Sequence, residues 1–403
     1  MFVVDGIILD NSTLNETSIG GSSLGLASDR VNRNNDYTNR IADLNPNDIE
    51  SVTVLKGPEA TALYGSQASS GAIIISTKKA TPGKFSLAYD NSFRITKVSR
   101  TLDLVNDYGP GTNAIPQNIF NTGSGSYFGP KYPTGTPKYD NVNEFFRNGF
   151  SQTHNLSGDV GFKNAGFKIS GSFFDQKGVI PENTYRKYNV RVANTTRLGK
   201  WLEITPAFQY INSTNDKPLR SAGGYLLSLY AWPVNNDIGK YNDASGNKIN
   251  IFNSDPFLEL DNPLYGVYKN HSQDKTERFI YTGGININPF KWWSISGRFG
   301  YDTYHTTGYT FYHPLSFLTS RTQLGALDNY WRKYEGYNHT ITTTFKKDYK
   351  KFSGRIMVGT MWQDYKTMMF AIYGTNLVDS VGGINNITGY NKLYKNGQIL
   401  TEA

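Results

Sequence analysis

The chain has 403 residues, which is long enough for two or three domains by length alone. It contains 40 Gly, 28 Tyr, 23 Phe and 6 Trp with only 18% charged residues, a composition biased toward strands and turns. Cysteine is absent, which excludes a disulfide framework, thiolate metal sites and a cysteine nucleophile. The net charge of +8 comes from scattered bases rather than one basic stripe, so nucleic acid is not an expected partner.

No run of about eighteen apolar residues occurs in the sequence, so no transmembrane helix is predicted. This does not exclude a membrane protein built from strands, because a membrane β-barrel shows residues alternately to lumen and lipid and has ordinary hydropathy. The opening "MFVVDGIILDN" lacks a basic segment, a long apolar segment and a cleavage site, so it is not a secretory signal peptide. We therefore expect either that a signal peptide has been removed or that the beginning of a longer parent chain is missing.

Residues 1–80 predict a small α/β unit. The runs "FVVDG", "SVTVLKG" and "GAIIISTKK" are short and apolar and are bounded by Gly, Pro or Asp, which is typical of a small buried sheet. Pro58 to Tyr64, followed by Gly65, predicts a helix of one to two turns. Asn45 before Pro46 predicts the start of another short helix.

From residue 84 onward the apolar residues recur with a period of two. In "WLEITPAFQYIN" the even positions Leu202 to Tyr210 are apolar, whereas the odd positions include Glu203, Thr205 and Gln209. The same alternation occurs in eight further runs, which begin with Phe85, Leu156, Phe167, Tyr188, Phe279, Trp293, Ile341 and Phe352. The sequence therefore predicts nine antiparallel strands in residues 84–403, so the chain is mainly β.

The connections between these strands alternate between short and long. The short ones are 163–166, 198–200, 288–291 and 346–350, and the long ones are 101–150, 178–184, 215–275, 307–335 and 367–403. Outer-membrane barrels have short turns on one rim and long loops on the other, whereas a soluble sandwich has no reason for this division. The pattern favours a transmembrane antiparallel β-barrel.

Strand length and aromatic placement agree with a barrel. Most runs hold about ten to thirteen residues, and a tilted span needs about 9 to 11. Aromatic residues lie beside the short turns, as in an interfacial girdle, at Trp201, Trp292, Trp293, Tyr349 and Phe352. The alternative is that these rings form the core of a soluble β-sandwich or propeller. Nine is an odd number and single-chain bacterial barrels have an even number of strands, so we expect a partial barrel.

The motif "LNPNDIESVTVLKGPEATALYGSQASSGAIIISTKK", preceded by "FVVDG", resembles the C-terminal part of the plug domain of SusC/RagA-family TonB-dependent outer-membrane transporters of Bacteroidetes. The segments "GPKYPTGTPKYDNVNEFFRNGFSQTHNLSGD" and "SFFDQKGVIPENTYRKYNVRVANTTRL" are similar to the first barrel segments of that family. The residues that carry the plug motif are Asp5, Gly6, Asn45, Pro46, Asp48, Ile49, Glu50, Leu55, Lys56, Gly57, Ala60, Tyr64, Gly65 and Gly71.

The resemblance implies a 22-stranded barrel in the outer membrane, with a plug in the lumen because a barrel of that width would otherwise leak. It divides the chain into 1–80, the C-terminal part of the plug, and 84–403, the N-terminal part of the barrel with long extracellular loops. It implies a TonB–ExbB–ExbD complex that uses the proton-motive force to loosen the plug, and a SusD-like surface lipoprotein that caps the loops. The substrates implied are oligosaccharides or oligopeptides.

No catalytic motif occurs, so we do not expect an enzyme. His154, His271, His305, His313 and His339 form no metal-binding pair in the sequence, and no GxSxG motif is present. Gly57, Gly65 and Gly71 do not fit a phosphate-binding loop, and turn formation explains them better.

Aromatic residues in the predicted loops are the candidate substrate contacts, because Tyr and Trp offer both an apolar face and a polar group. They are Tyr225, Tyr230, Trp232, Tyr241, Tyr265, Tyr268, Trp331 and Tyr334. The alternative is that these rings hold the loops together or contact the capping lipoprotein. Asn235, Asn236, Asp237, Asn242 and Asp243 are candidate calcium ligands, although turn formation explains them equally well. No other cofactor is expected.

The function predicted from the sequence is TonB-dependent import of oligosaccharides or oligopeptides across the outer membrane. One alternative is a non-transporting scaffold or secretion-complex subunit that reuses the same barrel. Another is a soluble carbohydrate-binding β-protein.

Overall fold

The fold is seen in a computed structural model. It describes residues 1–11, 39–80, 83, 85–116, 128–218, 225–251, 259, 261–317, 324–349, 352–377, 392–395 and 398–400. Within these residues the chain forms a small four-stranded sheet, a wall of eleven strands and a two-stranded hairpin.

The small sheet has the strand order β2-β1-β4-β3, and we call the unit around it the plug. Its strands are β1 (Phe2–Val4), β2 (Ile7–Leu9), β3 (Ile49–Leu55) and β4 (Ala72–Thr77), and its helix is α1 (Gly57–Tyr64). Short 3-10 helices occupy Arg40–Asp43, Pro46–Asp48 and Ser66–Ala68. The predicted helix before Gly65 is confirmed, and the predicted helix after Asn45 is a single 3-10 turn in which the Asn45 side chain accepts a hydrogen bond from a backbone amide.

Several motif residues act by shaping the plug backbone. Asp5 and Gly6 both have positive φ, 50° and 86°, in the two-residue turn between β1 and β2, which is the conformation that an Asp-Gly pair favours. A Cβ at Gly57 would lie 2.5 Å from the Ser69 carbonyl oxygen, and one at Gly71 would lie 2.8 Å from that of Leu55. The plug motif therefore encodes tight turns and close backbone approaches.

The wall begins at β5 and its neighbouring strands are antiparallel. Its nine long strands are β5 (Phe85–Thr96), β8 (Gly149–Gly161), β9 (Ala165–Lys177), β10 (Thr184–Leu198), β11 (Leu202–Asp216), β12 (His271–Phe290), β13 (Trp293–Tyr312), β14 (Ala326–Tyr349) and β15 (Phe352–Thr375). Two short strands follow, β16 (Lys392–Lys395) and β17 (Gln398–Leu400), and the separate hairpin is β6 (Gly111–Thr112) with β7 (Ile115–Pro116). The nine predicted strands are confirmed, and β16 and β17 were not predicted.

Polar residues line one face of the wall and apolar residues the other. Along β10, Lys187, Asn189 and Arg191 are buried, whereas the alternating Tyr188 and Val190 are 46% and 45% exposed. The buried polar face is the one that touches the plug, and we call it the inner face. The exposed apolar face continues around the wall, which is the inverse of the arrangement in a soluble sandwich.

Stacked aromatic rings mark the end of the wall that carries the short turns, which we call the short-turn end. Phe290 and Trp292 stack at 5.4 Å with ring planes 2° apart, and Trp293 stacks on Phe345 at 5.9 Å. Further up, a second row of rings crosses four strands at Phe208, Tyr281, Tyr301 and Tyr337 with centroid separations of 4.7 to 6.0 Å. The row that contains Trp292 and Trp293 lies beside a short turn, where the sequence places aromatic residues of a predicted girdle. The side chain of Tyr349, also assigned to the girdle, lies outside the described residues.

The later strands are longer than predicted, which corrects the assignment of Trp331 and Tyr334 to a loop. Strands β12 and β13 have 20 residues each, and β14 and β15 have 24 each. Both rings lie on β14, where they pair with β13 and β15. The sequence reasoning failed because the strands continue beyond the apolar band, where alternation of apolar and polar residues stops.

Three short helices lie in the long connections: α2 (Asn141–Phe145), α3 (Tyr225–Tyr230) and α4 (Pro263–Lys269). They pack into an apolar cluster with Phe145, Tyr225, Leu229, Trp232 and Tyr312. In the part of the chain that the structure describes, no helix combines the length and apolarity needed to cross a membrane.

Candidate functional site

The plug is joined to the inner face of the wall by a network of charged groups centred on Arg278. Its side chain is completely buried and donates hydrogen bonds to both carboxylate oxygens of Asp302, at 2.8 and 2.6 Å. It also donates to Asp43 Oδ2 of the plug at 3.0 Å. The backbone oxygens of Arg40 and Asp10 accept two further bonds at 2.8 and 3.4 Å. One wall guanidinium thus binds three separate points of the plug.

Tyr304 lies beside this network on the neighbouring strand. Its hydroxyl donates to Asp10 Oδ2 of the plug at 2.5 Å. The guanidinium groups of Arg40, Arg278 and Arg332 lie 5.6 to 5.8 Å from the centre of its ring, within cation–π range. The ring therefore offsets part of the repulsion among three cations in a buried space.

Strand β10 supplies a second set of contacts to the plug. Lys187 Nζ donates to the backbone oxygen of Ala42 at 2.6 Å. Arg191 donates to Thr77 Oγ1 at 2.6 Å, and Thr77 in turn donates to the carboxylate of Asp5 through its amide and hydroxyl, at 2.9 and 2.6 Å. The motif residue Asp5 is thus connected to the wall through a single intermediate side chain.

Apolar contacts fill the space between these polar groups. Ile211 and Ile280 of the wall pack with Val4, Ile7, Leu9, Leu44 and Ile75 of the plug. Ile7 lies directly on Gly300 of β13, where an added Cβ would come within 2.7 Å of Ile7 Cγ1 and closer still to two other Ile7 carbons. Glycine at position 300 therefore creates the space that the plug side chain occupies.

The remaining motif residues organise the plug rather than the contacts with the wall. Asn45 donates to Asp48 at 3.2 Å, and both are buried. Ala60 is fully buried with Leu55 and Tyr64 packed around it. Ile49 packs against the apolar cluster beneath β1. Glu50 is exposed and Lys56 precedes α1 without a side-chain cap bond.

The sequence analysis did not predict the wall residues of this network. We call these wall residues and their partners in the plug the seam. Lys187, Arg191 and Arg278 were not singled out as functional residues. Each lies on the polar phase of a strand and is followed directly by an apolar or aromatic residue, Tyr188, Val192 or Phe279, which is an available signal for a lumen-facing cation. Their partners in the plug could not be predicted from the sequence, because the residues that form these bonds are 113 to 268 positions apart.

At the other end of the wall, three of the predicted substrate-contact rings are buried. Tyr225, Trp232 and Tyr265 are 3%, 5% and 0% exposed. The Tyr225 hydroxyl donates to the Gly266 carbonyl at 2.8 Å, and burial raises the pKa of both Tyr225 and Tyr265. These rings hold the long connections together. Tyr241 stacks on Tyr268 at 5.6 Å, closer to the surface.

A cavity of about 510 Å³ opens among the same connections. It is bordered by Tyr230 and Trp232 from the predicted set and by Leu104, Tyr108, Lys138 and Tyr139. Lys138 and Asp107 form an ion pair at 3.0 Å beside it, which holds the pKa of Asp107 below its usual value. Exposed rings next to charged groups can bind an amphipathic ligand.

The candidate calcium ligands take part in turns. Asp243 accepts from the backbone amides of Ser245 and Asn247 at 2.9 and 2.8 Å, and hydrogen bonds from Asn247 lead the effects that lower its pKa. Asp237 accepts from the amide of Gly239 at 2.9 Å. Over the described residues, no three acidic or histidine side chains are grouped as a metal site would need.

We predict that the long connections near His313 loosen in mild acid. His313 lies just after β13, and its pKa is lowered by burial and then by Lys269. Because the folded protein favours the neutral imidazole, the unfolded chain takes up a proton first as the pH falls below about 6.5. Local stability is therefore complete above that pH and decreases below it. Amide exchange of residues 261–270, corrected for its intrinsic pH dependence, should speed up between about pH 7.5 and 5.5, and less so in His313→Gln.

The geometry defines a class of protein: a β-barrel wall with a separately folded plug bound to its inner face. Residues 2–72 match the family profile TonB-dependent Receptor Plug Domain. The chain is 31% identical over 195 residues to the TonB-dependent receptor SusC of Bacteroides thetaiotaomicron, covering 48% of this chain and 16% of SusC. It is 29% identical over 226 residues to the TonB-dependent receptor P3 of Formosa agariphila, covering 54% and 21%.

A solved structure of the RagAB peptide importer in its closed-closed state matches the fold with a TM-score of 0.68 at 15% identity. The match covers 98% of this chain and 45% of that one. The chain thus carries a TonB-dependent receptor plug domain and is similar to receptors of the SusC/RagA type, and its matches span about a fifth of the length of the curated relatives. The predicted family and fold class are confirmed, and the total of 22 strands stays a prediction.

Proposed function

We propose that this chain forms part of a TonB-dependent importer that carries oligosaccharides or oligopeptides across the outer membrane. The observation that carries the proposal is the seam, in which a compact plug is bound to a lumen-facing wall chiefly through charged and polar groups. A plug that must leave and return needs contacts that water can replace, and hydrogen bonds to charged groups meet this need better than a dry apolar core.

The outer face of the wall supports a position in a membrane. Large apolar side chains are exposed on strand after strand, for example Leu156 at 53%, Val190 at 45%, Phe299 at 43%, Ile341 at 45% and Ile356 at 67%. A continuous apolar band of this extent is far larger than soluble proteins expose. Together with the stacked aromatic rings at the short-turn end, this band fits contact with the outer-membrane lipid.

The long connections support substrate capture at the opposite rim. The cavity beside Tyr230 lies among them and offers rings, a cation and, next to it, a carboxylate. Two similar proteins support this proposal: SusC is a TonB-dependent receptor, and RagAB is a peptide importer. By analogy we propose a SusD-like lipoprotein as the lid and the TonB–ExbB–ExbD complex as the source of energy.

Uptake in cells that lack a working TonB tests the proposal. The full-length parent protein should support uptake of a labelled oligosaccharide or oligopeptide in TonB-positive cells and none in TonB-negative cells. Equal uptake in both would contradict the importer and would favour a scaffold or secretion subunit with the same barrel.

Tyr230→Ala should weaken substrate capture without disturbing the barrel. The ring borders the cavity and is only partly buried, so its loss should remove a stacking contact worth about 0.5–1.5 kcal/mol. The half-saturating concentration should therefore rise roughly twofold to twelvefold. The maximal uptake rate should stay unchanged. Tyr188→Ala on the outer face of β10 is the matched control, and an equal effect in both would contradict a role for the cavity.

A further inference from the structure

A second cavity lies within the seam, between the plug and strands β10 to β13. Its volume is about 300 Å³. The plug contributes Asp5, Gly6, Tyr64 and Ser76, and the wall contributes Thr195, Thr205 and Arg298 among others. Thr195 and Thr205 lie three residues from the ends of their strands at the short turn between β10 and β11. The cavity therefore faces the short-turn end, on the side opposite the long connections.

The charges that border this cavity are unbalanced in favour of cations. Lys79, Arg191 and Arg298 line it together with a single carboxylate, that of Asp5. Both oxygens of Asp5 already accept hydrogen bonds from Thr77, at 2.9 and 2.6 Å. The cavity thus has a positive potential that its own acidic residue offsets only in part.

Arg298 is the cation best placed to meet a ligand. It is exposed, and the hydrogen bond recorded for it joins Nη1 to the backbone oxygen of Asp5 at 3.3 Å. Across the described residues no carboxylate lies within ion-pair distance of it. A Cβ at Gly6 would come 2.7 Å from Arg298 Cδ, so the motif glycine leaves the space in which this side chain lies. A planar guanidinium with donors to spare matches a carboxylate in two-point geometry.

Thr195 provides an independent indication of a ligand. Its side chain is 3% exposed and borders the cavity, yet its hydroxyl has no hydrogen-bond partner among the described residues. A buried hydroxyl without a partner costs about 1–3 kcal/mol in proteins, so such groups are normally satisfied. A polar group bound in the cavity would satisfy it.

We propose that this cavity binds the carboxylate group of a small organic anion, with Arg298 and Lys79 supplying the charge and Thr195 a hydroxyl. The biological role of this site rests on the proposed importer function. The anion would be the carboxylate of an oligopeptide or of an acidic sugar that has passed the seam. Binding itself can be measured without transport.

These 403 residues contain no cysteine, so once any cysteine elsewhere in the full-length protein is replaced by serine, an introduced thiol is the only one present. Ser76 lines the cavity and is partly exposed, so Ser76→Cys in the detergent-solubilised full-length protein reports on access. The thiol is modified with an anionic sulfonatoethyl and a cationic trimethylammonioethyl methanethiosulfonate, and the ratio of the two rates is recorded. Adding Arg298→Gln should lower the anionic-to-cationic ratio at least about fivefold. Adding Lys291→Gln, which removes an exposed cation in a short turn, should leave it unchanged.

A second measurement uses acetate as the probe. Acetate should slow modification of the thiol introduced by Ser76→Cys relative to chloride at equal ionic strength, and Arg298→Gln should abolish this protection. The proposed site is contradicted if the anionic-to-cationic rate ratio is the same in Ser76→Cys alone, with Arg298→Gln and with Lys291→Gln. It is also contradicted if acetate gives no protection, even when uptake is normal. If charge selectivity and protection are present but uptake does not depend on TonB, the site stands and the importer fails.

Discussion

Replacing Arg278 by methionine in the full-length protein is expected to release the plug from the wall. The substitution leaves the carboxylates of Asp43 and Asp302, 0% and 2% exposed, without their shared cation. Removing one partner of a buried ion pair costs about 3–5 kcal/mol, because the charge left behind is poorly solvated. Asp43 keeps only a longer contact with Arg40, at 3.7 Å. Opening of the seam should therefore become on the order of 100-fold or more frequent.

The change is measured by amide exchange over residues 39–80 and by entry of vancomycin into cells, and both should increase. Arg186→Met is the matched control, because Arg186 pairs with Asp175 at 3.1 Å while 58% exposed, and such pairs contribute at most about 1 kcal/mol. The variant Arg278→Met/Asp43→Asn/Asp302→Asn removes the stranded charges and should recover part of the loss. Unchanged exchange in Arg278→Met would contradict the role given to the network.

Gly300→Val is expected to displace the plug by steric overlap. The new side chain would occupy the position of Ile7, whose atoms already lie closer to an added Cβ than real contacts allow. Overpacking a well-filled site costs about 1–3 kcal/mol, and here the strain falls on the contact between two separately folded units. Vancomycin entry and amide exchange in β1 and β2 should both increase.

A size swap distinguishes this contact from general damage to the barrel. Ile7→Ala combined with Gly300→Val should restore a tight seam, since the volume removed from the plug makes room for the volume added to the wall. Gly171→Val on the outer face of β9 has its nearest neighbour at 3.9 Å and should behave like the unchanged protein. Failure of the swap to restore the seam would contradict the proposed contact.

The fold class could be predicted because the physical signals are local. A lipid-facing strand must alternate, and Tyr188 and Val190 show this directly beside Lys187 and Asn189. The turn at Asp5 and Gly6 likewise depends on two adjacent residues. The seam could not be predicted, since Arg278 and Asp43 lie in unrelated segments and meet only in the folded chain. Trp331 was assigned wrongly because a strand outside the apolar band needs no alternation.

Among the predicted substrate contacts, the sequence could supply ring types but not their surroundings. Tyr225 and Tyr230 lie at the two ends of one short helix, yet the first is buried in the loop cluster and the second borders a cavity. The cavity that contains Arg298 combines residues from the plug and four strands, so no short motif describes it.

The most direct test of the central claim, that the plug is bound to the inner face of this wall, is a disulfide between Ile7→Cys and Gly300→Cys. A Cβ at position 300 would lie 2.7 Å from Ile7 Cγ1, one bond beyond the Cβ of residue 7, which is compatible with disulfide geometry. In isolated outer membranes the double variant should form the disulfide spontaneously. In cells the disulfide should block uptake until a reductant is added, while each single variant should not. A double variant that stays reduced under oxidising conditions, with normal uptake, would contradict the account.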